Sequence, residues 1–487
     1  MTDPMRPSTD GTASTATRRT FLKGAGATLA GGTVGTLALG TVGAVGIPTP
    51  HLERQENWMV DPSGNKVTLR GVNIPDAKRM NTKDFRPDTD TTIKRVTNPD
   101  NGWYPRVLRL PLQPTDIGGH NPGGIPPMPG FTKDQLVTYL EKHVDAAVQY
   151  ARERNVYIIV DYHRHRGNSE AHQYDSPETD SELTMFWETV APRYADQPHV
   201  LYEVYNEPIA PYQGRYDPNL NVDPTEDRAI KTWRWWKEAA QPWVDIIQEH
   251  APETPVLIGS PRWTQWTYQA PRDEFSGDNL IYTGHVYAHP NLRPLSKYFG
   301  EPAKDVPVFM TEFGWGSYGA EWLKGTAEKE GEQFTSLFEN FPQMSWTVWC
   351  FDAKWSPAMM DHDWSLNAYG KFWRDQLQQW RGQYEPGGSV TTTSETPSDA
   401  TPTDTTATTT TDTTQGPPPI DGTVPQDVDG DGIYGDFNAN GRIDFPDVNR
   451  FFQHSDTDAI QTNPGFFDID GNGTISLQDV MALFQMV

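Results

Sequence analysis

Two glutamates, Glu207 and Glu312, end the apolar strings Val204-Tyr205-Asn206-Glu207-Pro208 and Phe309-Met310-Thr311-Glu312-Phe313-Gly314. A proline closes the first string and a glycine the second, so each carboxylate falls where a buried strand gives way to a loop. Two carboxylates facing one cleft are the minimum equipment for cleaving a glycosidic bond through an oxocarbenium-like transition state.

Side chains alternate faces along a strand, so parity tests whether other polar residues reach the same place. Glu203, Tyr205 and Glu207 share a face by this rule, as do Val308, Met310 and Glu312. Arg109 follows Val107, and His163 follows Ile159 and Asp161. His285 and Tyr287 follow Ile281 and Thr283, and Trp349 follows Thr347. In each run the apolar members come first and the polar member last, as expected where a barrel site gathers at the C-terminal ends of its strands. Glu203, deeper on its face, is assigned to a buried network with Arg109.

The elements that must position these residues read as eight strands: Val67–Val72, Arg106–Leu110, Val156–Asp161, Val200–Tyr205, Pro255–Gly259, Leu280–His285, Val306–Thr311 and Ser345–Phe351. Amphipathic stretches such as Lys133–Arg154, Ala229–His250 and Tyr369–Trp380 separate them. The alternation predicts an α/β fold, a (β/α)8 TIM barrel over residues 51–384. A doubly wound sheet is the fallback, but no Gly-rich phosphate loop follows an early strand.

The segment from Leu69 to Phe351 resembles glycoside hydrolase family 5, the cellulase family of retaining barrel glycosidases. The strings carrying the resemblance are Leu69-Arg70-Gly71-Val72-Asn73, Arg109-Leu110-Pro111, Asp161-Tyr162-His163, Asn206-Glu207-Pro208, His285-Val286-Tyr287, Thr311-Glu312-Phe313-Gly314 and Trp349, in that order. The resemblance implies that Glu207 is the general acid/base and Glu312 the nucleophile. Arg109 would hold Glu312 ionised, His163 and His285 would bind sugar hydroxyls, and Tyr287 would donate to the nucleophile. Asn206 suits the 2-hydroxyl, and Trp349 offers an apolar face to the sugar before the cleavage point. Trp263, Trp266 and Trp315, each just after a strand, are candidates to stack on further rings, whereas Trp233-Arg234-Trp235-Trp236 reads as packing or an external patch. Arg164-His165-Arg166 would contact hydroxyls or pair with acids. Inserts at 76–103 and 118–130 lengthen the first two loops and bear on which glycan fits.

The 487 residues leave room for more than one barrel, and a net charge of −25 at pH 7 excludes nucleic acid as a partner. Cys350, the single cysteine, permits no intramolecular disulfide and reads as buried strand. Residues 1–47 carry Arg18-Arg19 ahead of a weakly apolar Gly/Ala run, a pattern expected of a twin-arginine export signal and hence an extracellular protein not held in the membrane after export. Residues 385–420, rich in Thr, Ser and Pro, read as a disordered linker.

Beyond it, a loop starting at Asp436 recurs at Asp468, each followed by a similar helical stretch. A 12-residue loop with oxygens at positions 1, 3, 5, 9 and 12 and Gly at 6 is the calcium pattern. The ligands would be Asp436, Asn438, Asn440, Asp444 and Asp447, and then Asp468, Asp470, Asn472, Ser476 and Asp479; the carbonyls of Arg442 and Thr474 complete the sets. Asp427, Asp429 and Asp431 offer a further overlapping site. Residues 421–487 resemble a dockerin, a small all-α module folded by calcium, which implies a cohesin-bearing partner. Phe451-Phe452 and Leu483-Phe484 would serve its core or its docking face.

The combined expectation is a secreted, retaining endo-β-1,4-glucanase acting on a β-linked polysaccharide, with Ca2+ in its C-terminal module and no cofactor required in the barrel. The alternatives are a β-mannanase or another β-glycanase on the same barrel, and a non-catalytic carbohydrate-binding or cell-surface scaffold protein.

Overall fold

The structure is a computed structural model. It describes residues 49–386 and 417–484, apart from 84, 123, 165–168, 210–221, 318, 421–422, 429–431, 440, 444, 456, 470–474 and 476. The export string at Arg18-Arg19 and most of the linker thus lie outside the described residues. The chain divides into two compact units, parting between Thr392 and Thr393.

The first unit holds β1 (Arg70–Asn73), β2 (Val107–Leu112), β3 (Tyr157–Tyr162), β4 (Val200–Glu203), β5 (Val256–Ile258), β6 (Leu280–Val286), β7 (Val308–Phe313) and β8 (Ser345–Val348). All eight pair in parallel and close into a barrel, β8 returning to β1. Each expected strand is present. The first begins later than its apolar run suggests, because Val67 pairs with Met59 in a three-stranded ribbon instead.

That ribbon explains the barrel floor. Leu52, Met59, Val67 and Leu69 join the inward residues Val107, Tyr157, Ile159, Leu201, Leu257, Ile281 and Phe309 in one buried cluster. Apolar side chains fill the lower barrel, each contributing about 1.5–3 kcal/mol of burial. The outer faces of the strands pack against helices. Pro177–Tyr194 starts on Ser176, whose hydroxyl caps Thr179 N, and buries Leu183, Phe186, Trp187 and Val190. Asp227–His250 buries Trp233, Trp236 and Trp243. After β5 and β6 the crossovers are short helical turns rather than full helices. Among the described residues no helix is long and apolar enough to cross a membrane. Cys350 is buried and unpaired, as its apolar setting suggests.

The second unit contains helices Phe445–His454, Asp458–Gln461, Pro464–Phe467 and Leu477–Phe484. Phe437 stacks on Phe451 at 4.6 Å inside a small core that includes Leu483. The adjacent phenylalanines divide their duties, Phe451 fully buried and Phe452 exposed.

Candidate active site

A charged layer lies above the apolar floor, with Arg109 at its centre. The guanidinium is fully buried and donates to Glu203 (2.6 Å), Glu312 (3.0 Å), Asn73 (3.1 Å) and Asn206 (2.8 Å), and it pairs with Asp161 at 2.9 Å. Burial opposes its charge, but Asp161, Glu203 and Glu312 outweigh that penalty and raise its pKa. The same burial pushes the Asp161 carboxyl well above its usual range, although Arg109 pulls it back. Glu203 is also opposed by burial, yet Arg109 and His285 together bring it below its ordinary value.

Glu312 is held from two sides. Arg109 donates to Oε2, and the Tyr287 hydroxyl donates to Oε1 at 2.7 Å. Burial, then the Glu312 charge, pushes the Tyr287 phenol well upward, which keeps it a donor. Glu207 is more open, its side chain 17 % exposed, and meets Nδ1 of His285 at 3.1 Å. His285 Nε2 lies 3.0 Å from the Thr311 hydroxyl, which donates to Glu203 at 2.8 Å. Burial disfavours the imidazolium, but Glu312, Glu203 and Glu207 outweigh it and raise its pKa to about 9. At neutral pH the ring is therefore a cation donating from both nitrogens.

Asp161 Oδ2 also meets Nδ1 of His163 at 2.5 Å, and that ring stacks parallel to Trp349 at 5.9 Å. Arg109, His163, Asn206, Glu207, His285, Tyr287, Glu312 and Trp349 thus all gather at the C-terminal mouth of the barrel. Asn206 accepts from Arg109 through Oδ1, whereas its buried Nδ2 has no hydrogen-bond partner among the described residues.

Strand alternation holds on β2, β3, β6 and β8 and fails on the two strands that deliver the carboxylates. On β7, Val308 and Met310 pack outward, while Phe309 joins the barrel floor and Thr311 bonds inward. Pairing with β6 slips between Phe309, opposite Thr283, and Glu312, opposite His285. This irregularity inserts one residue and turns Glu312 inward, where strict alternation would send it out with Met310. On β4 the strand stops at Glu203, so Tyr205 swings outward against Tyr162 and Trp243 and Asn206 takes the inward position. Gly314 then allows a tight exit: a Cβ there would lie 2.1 Å from the Tyr369 hydroxyl, which donates to Trp349 O.

The loop after β5 supports Asn206-Glu207-Pro208 from behind. Arg262, Trp263 and Thr264 all adopt left-handed backbone. Trp263 N donates to Pro208 O, and the Thr264 hydroxyl donates to Asn206 O at 2.7 Å. Non-glycine residues in this region cost about 1–3 kcal/mol each, strain that tends to concentrate at functional sites.

Of the proposed stacking tryptophans, Trp263 is half-buried at the site, but Trp266 is fully buried and Trp315 packs against Phe334, Tyr369 and Phe372. The last two are core: Trp266 follows β5 and Trp315 follows β7, and each ring is enclosed by neighbouring side chains instead of facing the cleft. Exposed Trp322 was not singled out by sequence; it meets Tyr287 edge-on at 5.5 Å beside the carboxylates. Arg164 pairs with buried Glu182 at 2.5 Å, while His165 and Arg166 lie outside the described residues. The sequence also assigned no role to Asn73, which donates to Thr311 O and Thr347 O, each at 3.0 Å, and so ties β1 to β7 and β8.

Ligand atoms of Glu207, His285 and Glu312 all lie within 4.8 Å of one another. Their types would suit a metal, but Arg109 already supplies a positive charge 3.0 Å from Glu312 and both His285 nitrogens are engaged. The arrangement is better suited to moving a proton and attacking an electrophilic carbon.

In the C-terminal unit, Asp436, Asp447 and Asp479 are fully buried. Asp436 accepts from Gly441 N at 2.7 Å and Asp447 from Asn438 N at 2.9 Å, folding the first loop around its oxygens. Asp427 accepts from Gly432 N at 3.0 Å, and Arg442 and Asp468 are described. The other expected ligands, Asn440, Asp444, Asp470, Asn472, Thr474 and Ser476, lie outside the described residues, as do Asp429 and Asp431. Buried carboxylates on hard-oxygen loops fit calcium chemistry.

Known proteins share the barrel. Endoglucanase Z of Dickeya dadantii is 25% identical over 322 residues, 64% of this chain and 62% of that protein. Endoglucanase C of Evansella cellulosilytica is 28% identical over 242 residues, 44% of this chain and 28% of that protein. The chain therefore spans under two thirds of the length of either. The native β-glucanase SdGluc5_26A from Saccharophagus degradans superposes with a TM-score of 0.55 at 23% identity, covering 69% of this chain and 94% of that one. A model of the cellulase family, glycosyl hydrolase family 5, matches residues 60–355, which include every strand of the barrel and every residue of the rim. This chain belongs to that family.

Proposed function

We propose that the chain is a retaining, endo-acting β-1,4-glucanase with Glu312 as nucleophile and Glu207 as acid/base. The observation carrying this reading is the approach of the two carboxylates within 4.8 Å. Retaining glycosidases hold theirs roughly 5 Å apart, whereas inverting enzymes need about 6.5–9.5 Å to admit water. The different settings of the two groups support their different duties. Glu312 is clamped by Arg109 and Tyr287, as an attacking carboxylate should be. Glu207, more open to the cleft, is within reach of a leaving group or an incoming water.

In the first step Glu312 attacks the anomeric carbon while the glycosidic C–O bond breaks and Glu207 gives its proton to the leaving oxygen. The imidazolium of His285 steadies the carboxylate that Glu207 becomes. In the second step Glu207 takes a proton from water, the water oxygen bonds the anomeric carbon, and the ester to Glu312 breaks. The unpartnered Nδ2 of Asn206 is suited to a substrate hydroxyl, the 2-hydroxyl in this reading. Trp349 would lie beneath the sugar before the cleavage point, with His163 fixing its ring.

The choice of β-glucan rests on the endoglucanases among the relatives and on the family. Export by the twin-arginine route, calcium in the C-terminal loops and docking on a cohesin-bearing protein complete the proposal. They rest on the Arg18-Arg19 string and the two Asp/Asn/Gly loops. Hydrolysis of a panel of soluble glucans, mannans and xylans by wild type, Glu207→Gln and Glu312→Gln tests the reading. Glucan should be preferred and both variants should fold but lose turnover. Retained activity in either variant would remove its assigned role, and preference for mannan would replace the substrate.

A further inference from the structure

The helix Asp227–His250 turns three tryptophans inward and one outward. Trp233, Trp236 and Trp243 are buried, whereas Trp235 is 39% exposed. Its indole makes no ring contact or hydrogen bond among the described residues. It borders a cavity of about 690 Å³ between this helix and the start of Pro177–Tyr194. Asp175, Asp180, Glu238, Pro177 and Pro242 line it with the indole. Asp180 is fixed by accepting from Trp243 Nε1 at 2.9 Å. Glu238 also lines a second cavity of about 300 Å³ with Arg234, Lys237 and Gln241, where Lys237 is already paired with Asp273 at 2.6 Å. None of these residues belongs to the rim around Glu207 and Glu312.

An open indole face flanked by carboxylate acceptors matches a neutral polyol chain. The apolar C–H face of a sugar ring covers the indole, and its hydroxyls donate to the acids. Glu238 lines both cavities, so a polymer laid across it would reach from one to the other, as a single small molecule would not. Carboxylates along the first cavity repel a phosphodiester. A stable protein interface needs about 1,200 Å² or more around an apolar centre, and here one indole stands among charges. We propose that this groove is a second, non-catalytic binding site for a β-linked glucan chain, holding polymer while the cleft cuts it. The identity of the glycan rests on the function proposed above.

The test uses the full chain carrying Glu312→Gln, run in native gels with and without soluble neutral β-glucan, against the same protein with added Trp235→Ala or Trp235→Tyr. Loss of one stacking face should weaken retardation by about three- to tenfold. Tyr, which keeps a flat ring, should restore most of it. In the active protein Trp235→Ala should leave kcat/KM on cellotetraose unchanged. Unchanged retardation of Trp235→Ala would overturn the proposal, as would an equal loss on cellotetraose, or a Trp235-dependent self-association without glucan binding. Failure of Glu312→Gln to abolish hydrolysis would instead strike the catalytic reading and leave the groove standing or falling by its own retardation data.

Discussion

His285 connects the electrostatics of the site to the stability of the barrel. Its pKa rises from 6.5 to about 9, against burial, because Glu312, Glu203 and Glu207 surround it. Since the folded value lies above the unfolded one, the proton stabilises the native state fully below pH 6.5, and that contribution is lost as pH climbs through 9. A rise of this size corresponds to about 3 kcal/mol. The perturbation is His285→Gln, which keeps a donor but cannot titrate. Urea unfolding of the full chain, followed by tryptophan fluorescence from pH 6 to 10, reads the barrel selectively, because all 17 tryptophans fall between Trp58 and Trp380. Other groups titrate in that range, so the informative quantity is the stability gap between wild type and variant. That gap should shrink by about 3 kcal/mol across the window. A gap that stays constant with pH would refute the claim that a buried imidazolium bridges the carboxylates.

Three further outcomes follow from the same geometry. Arg109→Met should destabilise the barrel by about 3–5 kcal/mol in the same unfolding assay, since it leaves Asp161, Glu203 and Glu312 buried without their shared cation. Asn206→Ala should lower kcat/KM on soluble β-glucan by about 10- to 100-fold with little change in KM, because its free Nδ2 donor would act chiefly on the transition state. Chelation with EDTA should unfold the C-terminal unit, monitored by far-UV circular dichroism of the excised 417–487 segment, while glucan hydrolysis by the full chain persists. Loss of hydrolysis on chelation would mean that the barrel needs a metal.

The sequence was most readable where one physical rule acts alone. Parallel barrel strands are buried on both faces and read as apolar runs, so all eight were identifiable, with ends shifted by a few residues. Polar residues at the ends of those runs stand out, and Arg109, His163, Asn206, His285, Tyr287 and Trp349 all reach the same mouth. Alternation misled at the two carboxylates themselves. Nothing in Val308–Phe313 announces the slip against β6 that turns Glu312 inward, because a bulge is set by pairing with a neighbouring strand. Tyr205 was placed on the inner face because the end of β4 at Glu203 is decided by the tertiary fold, not by residue preference. The same limit applies to Trp266 and Trp315. A tryptophan after a strand can cover a sugar or a neighbouring ring, and only the path of the loop decides between them. Asn73 and Thr311 stand in quoted strings but carry no assigned role, because each works by joining strands distant in sequence.

In the proposed mechanism the two carboxylates, within 4.8 Å of each other, act by double displacement. Proton NMR of the reducing end freed during hydrolysis of a soluble β-glucan measures this directly, if recorded before mutarotation. Double displacement releases the β-anomer first, and the α-anomer grows in only as the product equilibrates. Initial release of the α-anomer would mean inversion, and would contradict both the nucleophilic role of Glu312 and the mechanism built on it.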